Sequence, residues 1–292
     1  MRPVLVTGGT GTLGRAVVRR LLSRGCPVRV LSRQAHTPGE HGWAVGDLVT
    51  GRGLEPALAG VGTVVHCATT DGGRDVAATR RLVAAARAAG VSHLLYVSIV
   101  GVDRVPLGHY RAKAECERLV AESGLGWTVL RATQFHGLLL RLLEGLSKAP
   151  VLLLPRGVAF QPVDVRDVAE RLAQLAEAGP TGRADDFGGP EARPVEAWAA
   201  EFLRARGRRR PVLRVPVPGG TVRALRAGGN LVPGRPADRA AGGAVGGAAD
   251  RTAGGAADRM ADRTAGGAAD RTAGRVAGRI TFAEFLAERY PA

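Results

Sequence analysis

Aromatic residues are scarce in this chain, at 4% of 292 residues against a hydrophobic fraction of 45%. A core with few rings must be assembled from Val, Leu and Ala, the mixture found in buried parallel strands flanked by Ala-rich helices. Cysteine is equally sparse. Cys26, Cys67 and Cys116 are odd in number, far apart, and show neither a CxxC pair nor a metal-ligand spacing to the six histidines. That excludes a disulfide scaffold and a structural metal site, and points to a reducing compartment, the cytoplasm. No apolar run reaches the roughly 18 residues of a membrane helix. The nearest, residues 138–154, is interrupted by Arg141, Glu144, Lys148 and Pro150. The first apolar run follows without a charged leader, so neither a targeting segment nor a membrane partner is expected.

Lysine is almost absent. Of 41 basic residues all but Lys113 and Lys148 are arginine, and the formal net charge is +15. The skew, beside abundant Ala and Gly, reads as a compositional bias rather than a binding surface. The arginines are spread along the chain, with one dense run at Arg204, Arg206, Arg208, Arg209 and Arg210 and no interleaved aromatics. A solvated basic face is the expectation, and no nucleic-acid partner.

What is present is a regular alternation of short apolar runs and amphipathic stretches, the pattern of βαβ units winding a parallel sheet. Val4–Val6 reads as a strand; Leu13, Val17, Leu21 and Leu22 then recur at helical spacing until Gly25. Further strands are predicted at Val28–Leu31, Trp43–Val45, Thr63–His66, Leu94–Ser98 and Trp127–Ala132. Helices are predicted at Val76–Ala89, closed by Gly90, and at Tyr110–Ser123, closed by Gly124. The fold class is α/β, a doubly wound sheet over residues 1–135. A smaller substrate-binding region is expected from 136–237 and 278–292, with helices at Val168–Ala178 capped by Asp167, at Val195–Arg206, and at Phe282–Arg289 behind the cap Thr281. Asp164 and Asp167 read as turn and cap residues, not catalytic acids.

Residues 238–277 differ. A unit close to Ala-Ala-Asp-Arg-Thr-Ala-Gly-Gly recurs at Ala248–Gly255, in expanded form at Ala256–Gly267, and at Ala268–Gly274. With little apolar area to bury, such a stretch cannot offset its ordering entropy, so a disordered insert or a marginal surface helix is expected.

The strongest signal is Thr7-Gly8-Gly9-Thr10-Gly11-Thr12-Leu13-Gly14, between the first strand and the first helix. Gly8 permits a tight turn, Gly11 lets backbone approach a pyrophosphate, and Gly14 allows the helix to pack closely on the strand. Amides at the helix start, with the positive end of its dipole, then hold phosphate. This is a Rossmann fingerprint, and a dinucleotide is its cofactor. At the end of the second strand stand Ser32 and Arg33, with no acid until Glu40. Arginine there favours an additional 2′-phosphate, hence NADP(H) over NAD(H). Asp47, in Gly46-Asp47-Leu48, reads either as an acceptor for the adenine amino group, beside Leu48, or as a turn residue. Cys67 and Ala68 read either as a wall along the ribose or as a buried small pair.

Thr7–Gly14, Gly46-Asp47-Leu48, and Tyr96-Val97-Ser98 followed by a helix bearing Tyr and Lys resemble the short-chain dehydrogenase/reductase superfamily. Ser98-Ile99-Val100-Gly101, His109–Lys113 and Trp127–Ala132 resemble its atypical, NmrA-like NAD(P)H-binding branch. The resemblance covers about residues 1–237 and resumes at Gly278–Glu288. It implies a site in which Ser98 orients a carbonyl, Lys113 holds the ribose and lowers a tyrosine pKa, and the tyrosine passes the proton. The family spacing YxxxK puts His109 where that tyrosine belongs, and Tyr110 precedes Lys113 by three. Tyr110 or His109 is then the proton donor, or Tyr110 packs in the core and His109 faces solvent. Thr133, Gln134, Phe135 and His136, after the sixth strand, fall where open α/β sheets bind substrate.

Two functions follow. One is an NADPH-dependent reductase of a small, apolar carbonyl, quinone or conjugated double bond, its proton coming from Tyr110, His109 or water. The other is a non-catalytic NAD(P) sensor acting through a protein partner.

Overall fold

The computed structural model describes residues 2–37, 39–70, 72–233 and 277–291. All but Ala277 of the repeat stretch lies outside the described residues.

The first half alternates as its sequence does. In chain order it runs β1 (Val4–Thr7), α1 (Thr12–Ser23), β2 (Val28–Ser32), β3 (Gly42–Val45), α2 (Leu54–Leu58), β4 (Thr63–His66), α3 (Gly73–Ala88), β5 (His93–Ile99), α4 (Gly108–Ala121) and β6 (Gly126–Ala132). There follow α5 (His136–Leu146), β7 (Leu152–Pro155), β8 (Ala159–Phe160), α6 (Val165–Ala178), β9 (Gly182–Arg183), β10 (Arg193–Pro194), α7 (Val195–Ala205), β11 (Val212–Val215), α8 (Gly220–Arg226) and α9 (Phe282–Arg289).

Seven strands form one parallel sheet in the order β3-β2-β1-β4-β5-β6-β9. The reversal of order between β1 and β4 is the Rossmann switch point, and it opens a crevice at the carboxyl ends of the strands. Strand side chains alternate between two cores. Val4, Val6, Val28, Val30 and Val65 pack under α1 and α6, whereas Leu5, Leu31, Val64, Leu94 and Tyr96 pack under α2, α3 and α4. Arginines clamp α1 to α6. Arg24 reaches Glu170 at 2.7 Å and Glu177 at 2.5 Å, and Arg20 also pairs with Glu170.

A third core gathers Leu139, Leu143, Trp198, Phe202, Phe282 and Leu286 from α5, α7 and α9, beside the small parallel pair β7/β11. Helix α9 opens with a reciprocal capping box between Thr281 and Glu284. One expected cap is corrected: Asp164, not Asp167, caps α6, its carboxylate accepting the Arg166 amide at 2.8 Å. Asp167 instead receives the amides of Arg279 and Ile280 at 2.8 and 2.9 Å, tying the chain before α9 to α6. With aspartates three residues apart, both fit a cap, and only tertiary structure separates them.

Candidate functional site

A cleft of ≈ 1150 Å³ follows the carboxyl ends of the strands. Its floor is the turn between β1 and α1. Gly8 has φ +67°, and a Cβ there would lie 2.6 Å from the Ala68 nitrogen in the loop after β4. Gly14 is tighter: its Cβ would stand 2.0 Å from the Gly8 carbonyl oxygen, so this glycine lets α1 seat against the turn itself rather than against the strand. Helix α1 has Gly11 as N-cap, no side-chain cap and no acid in its first turn. Its first-turn amides therefore keep free donors, and nothing of negative charge offsets the dipole. A cradle that any side chain would fill, ending in uncapped amides, fits a dinucleotide pyrophosphate.

At one end the cleft is walled by Ser32, Arg33, Gln34 and His36 and, across from them, by Asp47, Leu48 and Val49. Arg33 is exposed and has no ion-pair partner among the described residues. Ser32 Oγ accepts the Gln34 amide at 3.2 Å and meets His36 Nε2 at 2.8 Å, and the His36 ring stacks on Trp43 with centroids 3.9 Å apart. Asp47 Oδ1 accepts the Val49 amide at 2.8 Å, so the residue serves its own turn while lining the cleft. His36 was not singled out from sequence, because a loop histidine carries no periodicity.

At the other end stand Val97, Ser98, Ile99, His109, Ala112, Lys113 and Phe135. Ser98 Oγ is buried and has no hydrogen-bond partner among the described residues. Lys113 is buried and ion-paired with Asp75 at 3.1 Å, a residue not singled out from sequence. Cys67 and Ala68 line the middle of the cleft beside Thr69 and Thr70. Burial pushes the Cys67 thiol up to about 12, so it is an inert wall rather than a nucleophile.

Not every residue expected at the site reaches this cleft. Thr7 is buried, with its hydroxyl on His66 Nδ1 at 2.7 Å, and Gly9 is covered by Val30. Thr10, Gly11, Thr12 and Leu13 do line it. Tyr110 sits 5% exposed in a cluster with Val102 and Val105, where burial raises its phenol. One residue of helical offset turns it by about 100° from the position His109 holds in the cleft. Thr133 and Gln134 do not line the cleft, though each has a buried oxygen without a partner among the described residues. His136 is 1% exposed; its Nε2 meets the Pro162 carbonyl at 3.1 Å and its ring packs against Phe282 and Phe285. It starts α5 in the third core, and of the four residues after β6 only Phe135 faces the cleft.

Residues 8–137 match a family model described as NAD(P)H-binding. The chain is 36% identical over 214 residues to a (4-alkanoyl-5-oxo-2,5-dihydrofuran-3-yl)methyl phosphate reductase of Streptomyces griseus, covering 70% of this chain and 74% of that one. It belongs to the NmrA-like branch of the atypical short-chain dehydrogenase/reductases. An NAD(P)H azoreductase of Xenophilus azovorans is 32% identical, again over 70% of this chain and 74% of its own length. The crystal structure of an NADPH-dependent quinone oxidoreductase of Escherichia coli, complexed with NADPH, aligns with a TM-score of 0.65 over 78% of this chain and 88% of that one, at 23% identity, and shows the same fold. As a member of this branch the protein is an NAD(P)H-binding oxidoreductase. Among the described residues no helix is long and apolar enough to cross a membrane, and no cluster of His, Cys, Asp and Glu is fit to hold a metal.

Proposed function

We propose that the protein is an NADPH-dependent reductase of a small, apolar carbonyl, quinone or conjugated double bond. The observation that carries this reading is the continuity of one cleft, from the unpaired Arg33, over the uncapped start of α1, to the unpartnered hydroxyl of Ser98. Arg33 would hold a 2′-phosphate through charge-assisted contacts, and the amides of α1 the pyrophosphate. Bound there, the nicotinamide supplies the hydride. Ser98 Oγ donates to the acceptor oxygen, completing the bond it lacks within the protein. Lys113 holds the ribose side. His109 is exposed and lines the same end of the cleft as Ser98. Partial burial and then the Lys113 charge lower its pKa below the ordinary histidine value, which suits a proton relay fed from water. Residues 136–237 and 278–292 would supply the substrate walls. The relatives' names support a reductase and no narrower substrate class, since one is named a dihydrofuranone phosphate reductase and another an azoreductase.

The test is a panel of quinones, enones and aldehydes assayed by NADPH oxidation at 340 nm. Turnover with at least one acceptor, abolished in Lys113→Ala, is the expected result; turnover unaffected by Lys113→Ala rejects the role given to this residue. A second reading, a non-catalytic NAD(P) sensor acting on a protein partner, is favoured by the retreat of Tyr110 into the core. Sustained NADPH consumption with any of these acceptors removes it.

A further inference from the structure

Asp75 stands in the first turn of α3, buried at the wall of the cleft. Its Oδ2 lies 3.1 Å from Lys113 Nζ, with the two side chains 5% and 9% exposed. The same carboxylate accepts the Thr70 amide at 3.0 Å and the Thr69 hydroxyl at 3.4 Å. One carboxyl group thus joins three parts of the site: the loop after β4, the start of α3 and the middle of α4. Among the described residues no other carboxylate lies within ion-pair distance of Lys113. Lys113 Nζ also lies over the face of Tyr96, 5.0 Å from the ring centroid. His66, underneath, does not compete for the pair, because burial and then the charge of Lys113 bring it down to about 3 and leave it neutral.

An ammonium on a flexible four-carbon stem takes one position only where partners hold it, and a buried charge is stable only when paired. We propose that Asp75 is a positioning residue of this site, fixing Lys113 Nζ and the loop at Thr70 against one point so that the ammonium's remaining N–H groups are preset toward the dinucleotide. The kinetic part of this inference rests on the reductase reading above; the spectroscopic part stands on the fold alone.

The chain's two lysines make the test direct. In protein carrying 13Cε-labelled lysine, two side-chain resonances are expected, and Lys113→Met assigns them. Added NADP+ shifts the Lys113 resonance and leaves that of exposed Lys148 unmoved. In Asp75→Asn the Lys113 resonance moves to the position of an exposed lysine and no longer responds to NADP+ in the same way. A Lys113 resonance unchanged by Asp75→Asn overturns the proposal, whether or not any acceptor is turned over. With a working acceptor, Asp75→Asn lowers kcat by about tenfold or more while the KM for NADPH changes by less than about threefold. The double variant with Lys113→Met falls no further than Lys113→Met alone, because Asp75 acts through that residue. Strictly additive losses overturn the proposal. If no acceptor oxidises NADPH, the reductase reading fails and the resonance alone decides the role of Asp75. Should Asp75→Asn not fold, Asp75→Glu keeps the charge and displaces the carboxylate. A shifted Lys113 resonance with reduced kcat is then expected, and an unshifted resonance with full kcat overturns the assignment.

Discussion

The imidazole Nδ1 of His66 lies 2.7 Å from the hydroxyl of Thr7, joining the carboxyl ends of β4 and β1 beneath the cleft. The partner on the other ring nitrogen is Thr79, at 3.3 Å, and the side chain is buried. Burial lowers its pKa to about 3, and that of His93, which meets Thr128 at 2.9 Å, to about 4.

These histidines make stability pH-dependent in a defined window. Both folded-state values are depressed below the unfolded value near 6.5, so their favourable contribution is complete above that value and is lost as pH falls toward the folded ones. Between pH 7 and pH 5 each is expected to remove about 2 kcal/mol of folding stability, since one pKa unit corresponds to about 1.36 kcal/mol. Melting followed at stepped pH checks this: a His93→Gln variant shows a flatter decline than the parent, and an equal decline contradicts the account.

Gly14→Ala places a methyl group against the Gly8 carbonyl and forces the turn apart. Dinucleotide affinity is expected to fall about a hundredfold, roughly 3 kcal/mol, with the sheet intact by circular dichroism. Gly25→Ala is the control. A Cβ there meets nothing within 4 Å and only the φ of +73° is strained, so about 1 kcal/mol of stability is lost and affinity is kept.

Arg33→Ala is expected to weaken NADPH binding by tenfold or so while leaving NADH nearly unchanged, about 1.4 kcal/mol specific to the 2′-phosphate. Titration of bound-cofactor fluorescence with each dinucleotide reads the ratio directly. Equal weakening of both would mean that Arg33 shapes the loop and does not read the phosphate.

Phe282 is 1% exposed and meets His136 and Trp198 edge-on, with centroids at 5.5 and 5.7 Å. Phe282→Ala empties the centre of the third core and is expected to cost about 3–5 kcal/mol, read as a lowered Tm or denaturation midpoint. A loss near zero would detach α9 from the packing described here.

The first half of the fold was legible because each of its units carries its own signal. Short Val-rich runs mark β1, β2 and β4, and Gly25, Gly90 and Gly124 close α1, α3 and α4 where expected. The glycine turn was legible for the same reason, since its constraints are local. Helix α5 was not. Leu138, Leu139, Leu140, Leu142 and Leu143 cover most of its faces and blur the 3.6-residue period, and it starts at His136 without a side-chain cap. The ion pair of Asp75 with Lys113 could not be read either, because it exists only once α3 and α4 lie side by side on the sheet. The displacement of Tyr110 was visible as a spacing, but its burial depends on Val102 and Val105 arriving from the preceding loop.

Gly188 is where the chain's two late segments meet. A Cβ on it would touch Val232, whose amide donates to Gln161, and its carbonyl accepts the Gly278 amide at 2.8 Å while Ala277 bridges to it. Pro233 and Ala277 are thus moored at neighbouring points of the same fold. A side chain at position 188 would therefore disturb the chain on both sides of residues 234–276 at once.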